Sequence, residues 1–421
     1  MVFKKLGVES NFSEFEIETG NFVMKKRIPR FWEMTFGGGI SCTPIFQNET
    51  VYFGCNDGYV YAVDIEGKKE IWRFKTDGIV LRVVAKENLL FASSFDGNVY
   101  AVDKKTGEEF WKYKIGEKVY ACSAHKNIVY ATSENGNLYS IDAKTGKEIW
   151  RFKTGDKIAS LPTVYKDMIF LGSFDGNMYC LSEDGKELWR FKTGDNVVNL
   201  EPFLIENDVI YFGSDDNFLY AVDINTRKIL WKFRTGGCIT STPELYKGNL
   251  YIGSFDGIFY AIDRNTGKEI WRFKTGNEIR VMRALVANNK IYFGSTDGIL
   301  YSLDVETGKE IWRFKTHGSL LGSSPVLWRN KIYFGSQDCH LYCVDPKTGK
   351  EIWRFQTSTL QQSQRPSDEW VLEYKHPKSE EEVQEEEEKY IEVRAEQMLE
   401  SGYIMKHEYA SKEFYRQKMK Y

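Results

Sequence analysis

Between residues 50 and 357 the apolar positions of this chain recur in one pattern, typified by IYFGSTDGILYSLDVETGKEIWRFKT at residues 291–316. Two β-branched and aromatic runs, IYFGS and ILYSLD, have the length and composition of strands. Between them stands Asp297-Gly298, a dipeptide that predicts a tight hairpin with positive φ at both central positions. The second run leads into DVETGK, where Gly308 offers the left-handed residue of a longer hairpin loop. A third strand, EIWRFKT, is expected to hold Ile311, Trp312 and Phe314 in a half-buried pattern. LLGSSPVL, residues 320–327, reads as a fourth strand leading into the next unit.

The units are counted by their tryptophans. Trp32, Trp72, Trp111, Trp150, Trp189, Trp231, Trp271, Trp312 and Trp353 follow one another at intervals of about 40 residues, the spacing of propeller blades. Eight cores lie between them, beginning near Val51, Leu90, Val129, Ile169, Ile210, Leu250, Ile291 and Ile332. Four short antiparallel strands cannot bury both faces alone. Stacked radially, such sheets cover one another and leave few edges. A β-solenoid would need shorter repeats and no tight hairpins. The expected fold is all-β: an eight-bladed β-propeller of four-stranded antiparallel blades, spanning residues 31–358. Trp72, Trp111, Trp150, Trp189, Trp231, Trp271, Trp312 and Trp353 are expected to plug the spaces between blades. Nine tryptophans for eight cores leave one outer strand over. Residues 31–38, FWEMTFGG, are expected to close the last blade, with the copy at residues 351–357 beside them.

The phrase YFGSxDGxLYAVDxxTGKEIWRFKTG resembles the repeat of PQQ-like β-propellers, the superfamily of quinoprotein dehydrogenases and of the BamB-type outer-membrane assembly lipoproteins. The resemblance covers residues 30–357 and implies the fold. It leaves function open, because this architecture hosts enzymes, scaffolds and sensors. The quinoprotein enzymes are secreted and longer, and often carry a vicinal cysteine pair over the cofactor. A calcium-bound quinone also needs convergent Glu, Asn and Asp around a tryptophan floor. The chain has no Cys-Cys pair, and no such set can be assembled from it. Neither a cofactor nor an enzymatic activity is expected.

Net charge is −3, so no global basic field draws the chain to nucleic acid or anionic lipid. No segment approaches the ~18 unbroken apolar residues of a membrane span, and the first residues read neither as a secretory leader nor as a lipoprotein signal. Seven scattered cysteines, an odd number without C-x-x-C, suit reduced thiols in the cytoplasm. TGKEI lacks the Ser or Thr of a phosphate-binding loop and follows a turn, so it is a hairpin and not a nucleotide site. In CHLYC, Cys339 and Cys343 stand four strand residues apart, about 13 Å at ~3.3 Å per residue, too far for one zinc. Cys339 does occupy a place that other units give to Gly or Asn. The five histidines lie apart in the repeat register, so no catalytic residue and no metal ligand is assigned.

The irregularities of the segments entering each blade carry the candidate site. These segments usually read small-polar-Pro, as in SCTP at residues 41–44 and GSSP at 322–325. Blade two instead places Arg82 there, blade five Asn199 and Glu201, and blade seven Arg280 and Arg283. Facing the axial channel, they would meet water, pair as Arg–Glu across it, or hold a small anionic ligand or a partner's acidic residue. Beyond an N-terminal arm (1–30) and a linker (359–378), residues 379–421 are a strong helix former with Ile391, Ala395, Met398 and Leu399 on one face. Residues 398–419 resemble the short oligomerisation hairpin known as SHOCT, through the pattern at Leu399 to Ile404 and at Glu408, Tyr409 and Lys412. The resemblance implies self-association; a solvated tail and packing on the propeller are the alternatives. The expected function is a non-catalytic cytoplasmic protein-interaction scaffold with unidentified protein partners, set against a ligand sensor or quinone-dependent enzyme using the channel.

Overall fold

The computed structural model describes residues 37–357 and three further strands, Glu14–Thr19, Phe22–Arg27 and Trp370–Tyr374. The chain divides into two compact units, Pro29–Ser367 and a second made of Met1–Ile28 with Asp368–Tyr421. In the second unit the three strands form one antiparallel sheet with Phe22–Arg27 in the middle. The arm and the linker thus each contribute strands. The helices and the SHOCT-like hairpin expected over residues 379–421 lie outside the described residues.

Eight four-stranded antiparallel sheets make up the first unit, each from four consecutive strands in chain order. Blade one is Ile45–Gln47, Thr50–Gly54, Tyr59–Asp64 and Lys69–Lys75; blade eight is Val326–Trp328, Lys331–Ser336, His340–Val344 and Glu351–Gln356. The two middle strands of each blade are buried on both faces, as in Tyr59–Asp64 and Lys290–Gly294. Their runs of β-branched and aromatic residues therefore do not alternate with polar ones.

Two local expectations are corrected. The Asp-Gly hairpins have positive φ at the glycine alone, as at Gly58 (φ 81) and Gly298 (φ 78). Gly298 N–H donates to Ser295 O at 3.0 Å, a turn closed ahead of one left-handed residue. The aspartate is held by its own bonds: Asp297 accepts from Ile299 N–H, from the Tyr301 hydroxyl and, through Oδ2, from Gly276 N–H of the preceding blade. The repeated Asp is thus a latch between blades as well as a turn residue. Asn217 (φ 70) and Cys339 (φ 68) take the glycine's place in blades five and eight.

The innermost strands are shorter than expected, only Val326–Trp328 of residues 320–327 being a strand. Pro44, Pro162, Pro202, Pro243 and Pro325 precede the three-residue inner strands of five blades, and proline cannot donate to a ladder. Blades two and three lack it and run seven residues, Val80–Lys86 and Val119–His125, whereas blade seven lacks it and still has the three-residue Leu285–Ala287.

The closure expected of residues 31–38 falls mostly outside the described residues. Glu351–Gln356 is the outer strand of blade eight, Gly37 and Gly38 form a turn, and residues 31–36 lie outside the described residues. The described part of the seam is made by the contacts that join other blades. Thr76 Oγ1 lies 2.9 Å from Gly58 O of its own blade and 2.8 Å from Gly78 O on the way to the next. Thr357 Oγ1 likewise joins Cys339 O to Gly38 O, and Ile40 N–H donates to Ser336 O at 3.0 Å.

Candidate functional site

Two of the five irregular residues meet across the ring. Arg82 of blade two reaches Glu201 of blade five as a two-pronged pair, Nη1–Oε1 2.8 Å and Nη2–Oε2 3.0 Å. Arg82 Nη1 also donates to Leu200 O at 3.1 Å, and the Thr43 hydroxyl of blade one donates to Glu201 Oε1 at 2.8 Å. The two side chains are 16% and 8% exposed. Burial pushes the Glu201 carboxyl up; Arg82 and Thr43 outweigh it and hold it below the usual range. For Arg82, burial opposes the charge and Glu201 restores it, leaving the guanidinium more basic than usual. Around this pair Leu81, Tyr120, Leu161, Leu200, Met282 and Leu321, from six blades, form one buried cluster. The axis is crossed by a desolvated ion pair set in apolar side chains.

The remaining candidates do not join that pair as a single site. Asn199 is fully buried and its Nδ2 donates to Thr242 Oγ1 at 3.1 Å, while its Oδ1 has no hydrogen-bond partner among the described residues. Arg280 lies over the Phe255 ring, 4.3 Å from its centroid, and pairs with Glu278. Arg283 pairs with Glu244 of blade six, and its charge also helps to lower Glu201. Parallel bridges Thr242↔Arg283 and Val281↔Gly322 tie blade seven to both neighbours. The arrangement offers little to a planar quinone: Arg82 is engaged by Glu201, and among the described residues the axial cluster contains no tryptophan to floor such a ring. Among the described residues, no three His, Cys, Asp or Glu side chains converge on a metal position. His340 is held through Nδ1 by Asp338 O at 2.8 Å, and the described cysteines are free thiols.

The tryptophans stand between blades. Trp72 Nε1 donates to Lys104 O of blade two at 3.0 Å, and the same bond runs from Trp111 to Ala143 O, Trp150 to Glu183 O and Trp231 to Arg264 O. Trp271 and Trp312 repeat it to Val305 O and Pro346 O. Each ring lies against the turn glycine of the next blade; at Gly267 (φ +67) a Cβ would stand 2.6 Å from Trp231 Cδ2. Blades five and one put Arg227 (φ 62) and Lys68 (φ 53) in that glycine's place. The tryptophans facing them, Trp189 and Trp353, are the most buried of the set, at 8% and 6%.

Sequence reasoning missed a feature of the outer strands. In every blade the register shifts at the residue before this tryptophan; in blade three Ser140 pairs Trp150 but Ile141 pairs Glu148, leaving Ile149 as a bulge. The same shift isolates Ile71, Phe110, Leu188, Leu230, Ile270, Ile311 and Ile352. These side chains are 38% to 60% exposed. Consecutive Ile-Trp cannot share one face of a regular strand. The bulge keeps the tryptophan against the next blade and turns the residue before it outward.

These features define an eight-bladed PQQ-like β-propeller. The chain belongs to the family described as the β-propeller of the beta-alanine-activating enzyme, which matches residues 15–249. Residues 256–375 match the family of the outer membrane protein assembly factor BamB. No curated protein sequence matches the chain. Among solved structures it is similar to the computationally designed Ika8 protein, with TM-score 0.63, 18% identity, and 72% of this chain and 95% of that one covered. BamB from Moraxella catarrhalis superposes with TM-score 0.62 at 16% identity, over 80% of this chain and 98% of its own. A europium-containing methanol dehydrogenase gives 0.61 at 14% identity, over 73% and 83%. At these identities the likeness is one of fold.

Proposed function

We propose that this protein is a non-catalytic, cytoplasmic protein-interaction scaffold. The observation that carries the reading is the axis: Arg82, which could bind an anion, is already paired with Glu201 beside a buried apolar cluster. The apolar residues turned outward on every blade supply a contact surface elsewhere, and exposed apolar area on a folded protein suits association. The BamB likeness supports a scaffold; the methanol dehydrogenase likeness favours a quinone-dependent enzyme as the second reading.

Two measurements on the purified full chain separate them. Native mass spectrometry and absorbance, with added pyrroloquinoline quinone and Ca²⁺, are expected to detect no stoichiometric complex. Affinity capture followed by reconstitution from purified components is expected to give a defined protein complex. A stoichiometric quinone adduct with dye-linked alcohol oxidation would overturn the scaffold reading.

A further inference from the structure

We propose that the outer rim of the propeller is a repeated docking surface for acidic protein segments bearing apolar side chains. The proposal rests on the scaffold reading and names its surface and the chemistry of its partner. The first observation is the bulge, which turns an apolar side chain outward at the same place in all eight outer strands. Phe110 is the most exposed at 60% and Leu230 follows at 54%. A solvent-facing bulge site tolerates polar residues, so packing does not require Phe, Leu or Ile there.

The second observation is charge. The eight outer strands hold sixteen Lys and Arg against seven Glu, a net of +9, in a chain whose total is −3. The arginines are largely answered within their own strands, as Arg151 is by Glu148 through bonds of 2.7 Å to each carboxylate oxygen. The surplus therefore comes mainly from the lysines, Lys112 and Lys114 in blade two among them. In every blade but the eighth, whose strand carries no lysine, the apolar knob thus shares its strand with a surplus cation, an arrangement complementary to carboxylates alternating with apolar groups.

The bulge also decides the mode of contact. It breaks the straight edge that strand addition needs, so a partner docks by side chains on several knobs. Individually weak contacts then add through multivalency. A second copy is a poor occupant, because rim would meet rim with like charge.

The test uses the full chain and a short fluorescein-labelled peptide of alternating Glu and Leu, followed by fluorescence anisotropy. Peptides of Lys–Leu and Glu–Ser are the controls. The Glu–Leu peptide is expected to bind, more weakly as salt rises, and the controls are not. Replacing Phe110, Ile149, Leu188 and Leu230 together by Ser is expected to weaken binding at least about tenfold with the melting temperature little changed. Lys112→Glu with Lys114→Glu, which leaves every knob in place, is expected to weaken it in the same direction. Undiminished binding by both variants, or equal binding of the Lys–Leu peptide, overturns the proposal. So does flotation with phosphatidylserine vesicles in the absence of peptide binding, which would assign the rim to a lipid surface, and so does concentration-dependent dimerisation lost in the Ser variant. A reconstituted partner that still binds the Ser variant would refute the rim while leaving the scaffold reading intact.

Discussion

Arg82→Met would leave the Glu201 carboxylate buried with only the Thr43 hydroxyl as a short-range side-chain donor. Removing one partner of a buried pair typically costs ~3–5 kcal/mol, because the remaining charge stays desolvated. Unfolding entropy of ~2.1 cal/mol/K per residue gives about 0.7 kcal/mol/K for the propeller, so melting should fall by about 4–7 °C. Glu201→Gln should cost a similar amount by stranding Arg82. The double variant, Arg82→Met with Glu201→Met, removes both charges and extends the surrounding cluster of Leu81, Leu200 and Met282. It should recover most or all of the loss, as such replacements often do. Calorimetry on the four proteins gives the coupling directly. If the single changes are near neutral, the pair is solvated and the axis is open. If the double loss equals the sum of the singles, the residues do not interact, and the argument fails.

Three other expectations follow from the same geometry. Trp150→Phe should cost ~1–2 kcal/mol by leaving Glu183 O without its indole donor, whereas Trp353→Phe removes a buried N–H that has no hydrogen-bond partner among the described residues and should cost less; equal losses in chemical denaturation would contradict this. Gly267→Ala should destabilise more than Gly248→Ala: both have positive φ (67 and 82), costing ~1–2 kcal/mol, but only at Gly267 does the new Cβ meet a tryptophan. The third concerns pH. Glu201 is below its ordinary 4.5 in the folded state, so its contribution is present above that value and is lost as pH falls through the folded pKa. The stability gap between wild type and Glu201→Gln should therefore narrow on acidification below about pH 4.5; a gap that widened would refute the sign.

Blade number and the position of every middle strand could be read from the chain because local turn chemistry and strand composition agree there, as at Ile299–Asp304. Ile311 was harder to place. Its apolar character groups it with Trp312 and Phe314, and only the register shift, which a neighbouring strand determines, shows it set apart as a bulge. Residues 320–325 looked like strand because they are apolar and small. The proline and the parallel bridge Val281↔Gly322 remove them from the ladder. At the axis, sequence register could bring Arg82, Arg280 and Glu201 to the same level, leaving their partners open. The pairing of Arg82 with Glu201 depends on which blades face each other across the ring, whereas Arg280 pairs with Glu278 two residues before it in its own blade.

The central claim is that the axis is filled and that partners meet the outer strands. Hydrogen–deuterium exchange of the full chain, with and without a reconstituted protein partner, tests it most directly. Protection is predicted in outer strands such as Glu109–Lys114, Glu148–Lys153 and Glu187–Lys192, with residues 79–83, 197–201 and 280–283 unchanged. Protection confined to those three axial segments would contradict the account.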